Sequence, residues 1–412
     1  MKRNILLVTD IFPRWKDDSH IPGYVAELAK SLSAYYNIYV VVPHSHCAAL
    51  FERLDTVTVI RNRYFYLLKW QLLSNGNDFL ETARTNFLAF LQIPFYVISE
   101  FISIIKIIRK YNIDLLNSHG FTPHAVLCAI IKIFFKKPHI MTLHGPGISV
   151  VAQWGWFGRL LTGFALKNSD VVLPVSIYTR YLMEKISGRT FKYEIVPMGV
   201  DTDSFKYIGN KINLRRIHDI PAKHKVILFV GALIERHGIQ VLLESVMSLK
   251  NDYRDFIVLI IGGGHLEEPC KKWVKEKGLF DHIIFLGWID HDQVPAYYGI
   301  SDIVVVPLTE DAVGETDGLP VVILESFAAG VPVIASQISG ISDVIRHGYN
   351  GWLFEHDNKG DLYSRLDLFF NCDTQTVERM KQNARKTSEE YSWPSIAGKY
   401  VSYIRECIPI HK

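Results

Sequence analysis

The stretch DGLPVVILESFAAGVPVIAS, from Asp317 to Ser336, sets a carboxylate and a Gly-Leu-Pro turn in front of an apolar run that carries a second carboxylate, Glu325. Pro320 has its φ preset and lacks a donor, so it suits the first turn of a helix running through VVILESFAAG to Gly330. A helix opened at Gly318, Leu319 and Pro320 offers free N–H groups and the positive end of its dipole, which attract an anion, and a diphosphate is the obvious one. Glu325 follows Pro320 by about 7.5 Å along the axis at ~1.5 Å per residue. One helix end can then take phosphates while Glu325 accepts from sugar hydroxyls, because a carboxylate only accepts and vicinal hydroxyls donate in pairs. Taken alone, the same residues also read as a cap, Asp317, and an ordinary solvated Glu325.

The elements that must position these groups follow one rhythm along the chain. The first half offers NILLVTD, IYVVVP, TVTVI, IDLLNSH, HIMTLHG, DVVLPVS and YEIVPMG as strands, alternating with helical patterns. The second half repeats it with VILFVGA, FIVLIIGGG, HIIFLGW, DIVVVPL and VPVIAS. Most are apolar throughout, which fits parallel strands covered on both faces by helices. Between the series lies GVDTDSFKYIGNKINLRRIHDIPAKHK, polar and without sustained period, which reads as a linker. The fold class is therefore α/β, with two doubly wound Rossmann-like domains facing a cleft: residues 1–205, residues 206–390, and a C-terminal helix, 391–412, returning to the first domain. In such sheets ligands bind outside the carboxyl ends of the strands.

Bulk properties narrow the function classes. A chain of 412 residues is long enough for two or three domains, and 49 % hydrophobic content is ample for their cores. A net charge of +3 and the lack of a recognition motif give no reason to expect a nucleic-acid partner. The five cysteines have neither CxxC nor metal-ligand spacing, which points to reduced structural thiols in a cytoplasmic protein. MKRNILLVTD begins like a signal peptide, but Asp10 arrives before any cleavage site, and it reads as a first strand. The most apolar region, Phe87 to Ile108, holds Gln92, Pro94, Glu100 and Lys106, and these argue against an uninterrupted transmembrane span.

The segment beginning at Asp317 resembles the E-x7-E signature of the family 4 retaining glycosyltransferases, with Asp317 in the first acidic position and Glu325 in the second. TLHGPG is similar to that family's acceptor-side histidine loop, VPMGVDTDSF to its interdomain segment, and VILFVGALIERHG to its donor-domain opening strand. LIIGGGHLEE, IIFLGWID and YSWPSIAGKYVSYI match weaker patterns, so the resemblance spans nearly the whole chain. It implies the GT-B fold, with an acceptor-binding N-terminal domain and a nucleotide-sugar-binding C-terminal domain, and transfer of a sugar with retention at the anomeric carbon. By the resemblance Glu325 lies on the ribose hydroxyls, Asp317 near the donor sugar, His144 of TLHGPG against that sugar from the N-terminal side, and Gly23 of HIPGYVAELAK close to the diphosphate. His144 and Asp317 are thus the candidate catalytic residues. No enzyme nucleophile is implied, and no cofactor or metal is expected.

The chain departs from the family pattern at the phosphate site, where Arg and Lys are usual and Ala232 and His237 stand instead. Arg236, beside His237, and His265, after the triple glycine, are the candidates to replace those charges. From Arg61 to Lys137 ten Lys or Arg face four Asp or Glu, with aromatics interleaved in RNRYFYLLKW and IIKIFFKKP. Such a surface suits an anionic membrane, so peripheral attachment to the inner face of the cytoplasmic membrane and a glycan or lipid-linked acceptor are expected. The leading expectation is a hexosyltransferase-type enzyme of cell-surface polysaccharide or glycolipid synthesis. A non-catalytic partner of the same fold that has lost its phosphate charges is the alternative. An epimerase leaves the basic surface without a role, and a phosphorylase would require a pyridoxal-phosphate lysine.

Overall fold

The computed structural model describes residues 2–16, 18, 23–65, 67, 70–73, 82, 86–145, 147–206, 211–310, 314 and 316–409. Pro146 of TLHGPG and Lys69 and Arg84 of the basic set lie outside them. The chain forms two compact units, Met1–Met198 with Trp393–Lys412, and Gly199–Ser392.

Unit 1 is built on β1 (Asn4–Val8), α1 (Tyr24–Ser33), β2 (Asn37–Pro43), β3 (Phe51–Leu54), β4 (Val57–Asn62), α2 (Ile93–Tyr111), β5 (Leu115–His119), α3 (His124–Phe135), β6 (His139–Leu143), α4 (Gly155–Lys167), β7 (Val171–Pro174) and α5 (Ile177–Ser187). The strands make one sheet in the order β3-β4-β2-β1-β5-β6-β7, parallel except for β3, which runs antiparallel to β4 at the edge. Alternation along β1 divides its side chains between the two faces. Ile5 and Leu7 pack with Val25, Leu28 and Leu32 of α1, whereas Leu6 and Val8 pack with Ile104, Ile107 and Ile108 of α2. Each such fully buried aliphatic side chain contributes about 1.5–3 kcal/mol. β1 lies between β2 and β5, so the strand order reverses there and the carboxyl ends of β1 and β5 border a crevice.

Unit 2 contains β8 (Lys225–Val230), α6 (Ile239–Asp252), β9 (Phe256–Ile261), α7 (Glu267–Glu276), β10 (Ile283–Gly287), α8 (Val294–Ile300), β11 (Ile303–Val306), α9 (Val321–Ala329), β12 (Val333–Ser336), β13 (Gly351–Phe354), α10 (Lys359–Asn371) and α11 (Thr374–Glu390). Its sheet is wholly parallel, in the order β10-β9-β8-β11-β12-β13, with the reversal between β8 and β11. Val226 and Leu228 face Tyr298, Ile323 and Phe327, and Ile227 and Phe229 face Leu242, Val246 and Leu366. The helix α12 (Trp393–Cys407) belongs to unit 1, where Trp393, Ile396 and Tyr400 join the cluster around Ile5, and the Tyr400 hydroxyl bonds Thr142 Oγ1 at 3.1 Å.

Four sequence expectations change. The segment after Met198 is not a free linker: Val200, Phe205 and Ile220 are buried in unit 2, and Arg215 donates to the His224 carbonyl at 3.0 Å. The units therefore divide after Met198, ahead of residue 205. YEIVPMG is no strand, because Glu194 and Val196 donate to Val172 and Pro174 but Pro197 has no N–H to extend a ladder. Gln92 and Pro94 stand where the helical run breaks, between a short helix ending at Phe90 and α2, which Gln92 caps and Pro94 opens, whereas Glu100 and Lys106 lie within α2 without interrupting it. By length and composition the stretch Phe87–Tyr111 is long and apolar enough to cross a membrane. Arg61 is not a surface charge: its side chain is 2 % exposed, pairs with Glu52, and donates to the carbonyls of Ala49, Pro13 and Arg14.

Candidate active site

In unit 2 the chain leaves β8 through Gly231 and Ala232 and makes a single 3-10 turn, Glu235–His237, closed by Gly238 at φ 65°. Glycine is required at 238 twice over, since φ is left-handed and a Cβ would fall 1.7 Å from the Pro307 carbonyl oxygen. The turn thus lies hard against the end of β11, and the Thr309 N–H donates to the Arg236 carbonyl at 2.9 Å. Held this way, Arg236 Nε and His237 Nε2 face the two oxygens of Asp317 at 3.3 and 3.4 Å. His237 Nδ1 donates to the Ala232 carbonyl at 2.8 Å, which fixes the ring plane. Arg236 Nε is buried without a hydrogen-bond acceptor, its ion pair apart.

Asp317 comes from the loop before α9. Its carbonyl and that of Gly318 accept from Ser339 Oγ, and the Gly340 N–H donates to Gly318 at 3.0 Å. Burial pushes the Asp317 carboxyl up, but the His237 hydrogen bond and the Arg236 charge outweigh it and hold the group below its usual value. A cavity of about 100 Å³ opens beside it, lined among others by Gly231, His237, Leu308 and Pro320. Pro320 is the extended residue before the helix, at φ −65° and ψ 126°, one position earlier than its expected place in the first turn. The Ile323 N–H donates to the Pro320 carbonyl at 3.3 Å, which leaves Val321 and Val322 as the first-turn amides of α9 without an intrahelical acceptor.

Glu325 is buried on α9, 8 % exposed. Its Oε2 accepts from the Tyr298 hydroxyl at 2.9 Å, and its Oε1 lies 3.3 Å from His291 Nε2. Phe205, from VDTDSF, meets both the Tyr298 and His291 rings edge-on. Both carboxylate oxygens are therefore engaged, and Oε1, with its longer bond and a second lone pair, can accept a further hydrogen bond. His265 lies 2.9 Å from both Glu235 oxygens, so it is tied to a carboxylate rather than set against the Asp317 group.

In unit 1 the carboxyl ends of β5 and β6 bring two imidazoles together. Asn117 Nδ2 donates to Ile140 and Thr142, which turns its Oδ1 to accept from His119 Nε2 at 3.0 Å. His119 Nδ1 then carries the lone pair and accepts from His144 Nε2 at 3.1 Å. Nδ1 of His144 is left as an acceptor, with the Tyr24 ring 5.1 Å away. Burial pushes His144 down to about 4 against the opposing pull of Asp10, and it pushes His119 well below its ordinary value. The pair is neutral at physiological pH.

Beside it stands a charged cluster. Asp10, at the carboxyl end of β1, has Oδ1 3.4 Å from His124 Nε2, and His124 Nδ1 lies 2.6 Å from Glu100 Oε1. His124, at the start of α3, and Glu100, on the inner face of α2, are each 1 % exposed. Burial alone would lower His124, but Glu100 and Asp10 raise it to about 10. Gly23 caps α1 at φ −81°, with open space where a Cβ would be, so no steric demand singles out glycine there.

Two family profiles divide the chain: Glycosyltransferase Family 4 matches residues 23–204 and Glycosyl transferases group 1 matches residues 210–387. The chain belongs to the family 4 glycosyltransferases. Among relatives of this glycosyltransferase is the GDP-mannose-dependent alpha-(1-6)-phosphatidylinositol monomannoside mannosyltransferase of Mycobacterium tuberculosis, 28 % identical over 73 % of this chain and 78 % of that one. Sucrose-phosphate synthase from Thermosynechococcus elongatus superimposes with a TM-score of 0.77 at 18 % identity, covering 98 % of this chain and 99 % of that one. Anabaena HepE in complex with UDP-glucose gives 0.73 at 16 % identity over 98 % and 99 %. The fold is GT-B, and the protein is a hexosyltransferase-type enzyme.

Of the residues expected in this glycosyltransferase's site, Arg236, His237, Asp317, Gly318, Leu319 and Pro320 gather at the β8–β11 reversal, with Glu325 farther along α9. His144 lies in unit 1. Sequence reasoning missed Asp10, Glu100, His119, His124, His291 and Tyr298. Two signals were available: Asp10 and His119 each end an apolar strand run, and Glu100 is an acid within an apolar helix. Among the described residues no group of three or more His, Cys, Asp or Glu is arranged to hold a metal ion.

Proposed function

We propose that the protein transfers a hexosyl unit, with retention at the anomeric carbon, from a nucleoside-diphosphate sugar to a lipid-linked or polysaccharide acceptor of the cell surface. The observation that carries the reading is the convergence of Arg236 and His237 on Asp317 at the amide end of α9. Two side chains able to carry positive charge and the opening amides of α9 adjoin one spot, which is what a departing diphosphate requires. In this reading Arg236, His237 and the amides from Gly318 onward hold the diphosphate, with Gly23 beside it. Glu325 Oε1 accepts from the ribose, and Asp317 accepts from a hydroxyl of the transferred sugar. His144 contributes the Nδ1 lone pair left by its bond to His119. The GDP-mannose dependence of the mycobacterial mannosyltransferase and the UDP-glucose bound to HepE are in keeping with it.

A lipid-linked acceptor is supported by α2, whose exposed stripe runs through Phe95, Ile98 and Ile102 to Lys106 and Arg109. Apolar side chains followed by cations, with Glu100 turned inward, suit the surface of an anionic membrane. We take the protein to work there, on the cytoplasmic side. Screening UDP-glucose, UDP-galactose, UDP-N-acetylglucosamine and GDP-mannose by thermal shift and by slow release of free sugar tests the reading. At least one donor should stabilise the fold and be cleaved; silence in both assays across all four would refute it.

A further inference from the structure

The charged cluster of unit 1 is unused by the donor reading. Asp10 ends β1 at the point where the strand order reverses, the place where open α/β sheets bind ligands. Its side chain is about one-third exposed, so it faces both the crevice and the interior. Behind it His124 and Glu100 are sealed from solvent, and the Glu100 Oε2 atom has no hydrogen-bond partner. A buried carboxylate and imidazole maintained in line behind a half-exposed carboxylate is expensive to bury, and nothing in the packing of α2 on the sheet requires it. The neighbouring positions Ile104, Ile107 and Ile108 do that packing with aliphatic side chains.

The geometry points to Asp10 as the carboxylate that accepts a hydrogen bond from the acceptor hydroxyl, with His124 and Glu100 as positioning residues that fix its direction and charge. This rests on the glycosyl-transfer reading above. The chemistry selects the ligand: an ionised carboxylate only accepts, so its partner carries O–H groups, as a carbohydrate acceptor does. Glu100 also joins this carboxylate to the helix whose outer face carries the apolar stripe, so one element presents both the lipid-facing surface and the support for the acceptor hydroxyl. In the transfer the acceptor oxygen bonds to the anomeric carbon as the bond from that carbon to the phosphate oxygen breaks. The hydroxyl proton leaves with the nucleoside diphosphate, and Asp10 stays ionised throughout.

The titratable groups around His124 are Asp10 from β1, Glu100, Tyr96 from α2, Cys128 from α3, and His119 and His144 from the ends of β5 and β6. Of these, Asp10 and Glu100 raise the His124 ring to about 10 against burial, so the imidazolium persists from pH 6 to 9.

The test uses the full chain and whichever of the four donors it cleaves, with water in the place of the acceptor. Asp10→Asn, nearly isosteric, should lower kcat for sugar release about ten- to hundredfold, the worth of one charge-assisted hydrogen bond, while KM for the donor and the donor-induced thermal shift stay as in the wild type. Glu100→Gln should bring the alkaline limb of the rate profile to lower pH, because His124 loses its nearer carboxylate; a residue needed only for folding would not move that limb. Wild-type rates in Asp10→Asn overturn the proposal. A fall in Asp10→Asn with an unmoved profile in folded Glu100→Gln overturns the positioning role. A wild type that neither binds nor cleaves any of the four donors refutes the transfer reading itself, and this inference falls with it.

Discussion

Arg236 Nε and Asp317 Oδ1 lie 3.3 Å apart across the β8–β11 reversal of unit 2, with His237 completing the group at 3.4 Å. In the proposed reading these cations also hold the diphosphate. Arg236→Ala should raise donor KM about ten- to hundredfold. Its effect on stability should be under about 1 kcal/mol, because the pair is partly exposed. Steady-state kinetics and thermal melts check this; unchanged KM in both Arg236→Ala and His237→Ala would remove the diphosphate from this place.

Glu325 offers a sharper discrimination. If its Oε1 receives ribose hydroxyls, the wild type should bind UDP or GDP more tightly than the corresponding 2′,3′-dideoxy nucleotides. Glu325→Gln should erase most of that preference. Calorimetric titration of both nucleotide forms decides it, and an equal preference in wild type and variant would place the ribose elsewhere. Tyr298→Phe should destabilise the unit by about 1–3 kcal/mol, since a buried carboxylate oxygen loses its donor.

The basic end of the α2 stripe predicts salt-sensitive membrane association. Lys106, Arg109 and Lys110 are exposed, and each is worth about 1 kcal/mol near an anionic surface. Replacing all three by Ala should weaken binding to phosphatidylglycerol vesicles about a hundredfold in flotation assays. Equal flotation of wild type and triple variant, or no flotation of the wild type at low salt, would reject α2 as the contact.

The buried histidines of unit 1 fix the sign of its pH response. Burial lowers His139 to about 3 and His144 to about 4 from an ordinary 6.5. The unfolded chain therefore binds more protons below pH 6.5, and stability falls as pH drops from 6.5 towards 4. His124 acts oppositely: raised to about 10, its contribution is fully present below 6.5 and is lost as pH rises through 10. Melting temperatures from pH 4 to 10 should decline on both sides, and His124→Gln should flatten the alkaline side. An unaltered alkaline side in that variant would contradict the Glu100–His124–Asp10 clamp.

Gly238→Ala should destabilise unit 2 by well over the ~1 kcal/mol of a strained φ alone, because the Pro307 carbonyl occupies the Cβ position. Donor binding should suffer in the fraction that remains folded, since the turn carries Arg236 and His237. Chemical denaturation of the variant measures the first effect and donor titration the second; wild-type values in both would show the turn to be free to shift.

The sheets were legible in the sequence because strands such as NILLVTD and VILFVGA are apolar on both faces, and only parallel strands beneath two helical layers need that. The edge strand β3, FERL, was missed because its side chains are mostly solvent-exposed and carry no such run. GWLF is four residues long and equally silent. The linker was misread because Val200, Phe205 and Ile220 are isolated apolar residues in polar company, and only the fold reveals that they share one core. At the site, Asp317 and Glu325 stood out because a Gly-Leu-Pro turn and a helix spacing are local features. Asp10, Glu100 and His124 form a cluster only through the β1 and α2 packing, so no window of sequence contains it.

The place of α12 has a consequence for biogenesis. The ribosome releases all of Gly199–Ser392 before Trp393, Ile396 and Tyr400 emerge to cover the β1 face of the amino-terminal sheet. The carboxyl-terminal unit can therefore mature first, while nascent chains carry an amino-terminal unit whose apolar face is still open and in need of chaperoning.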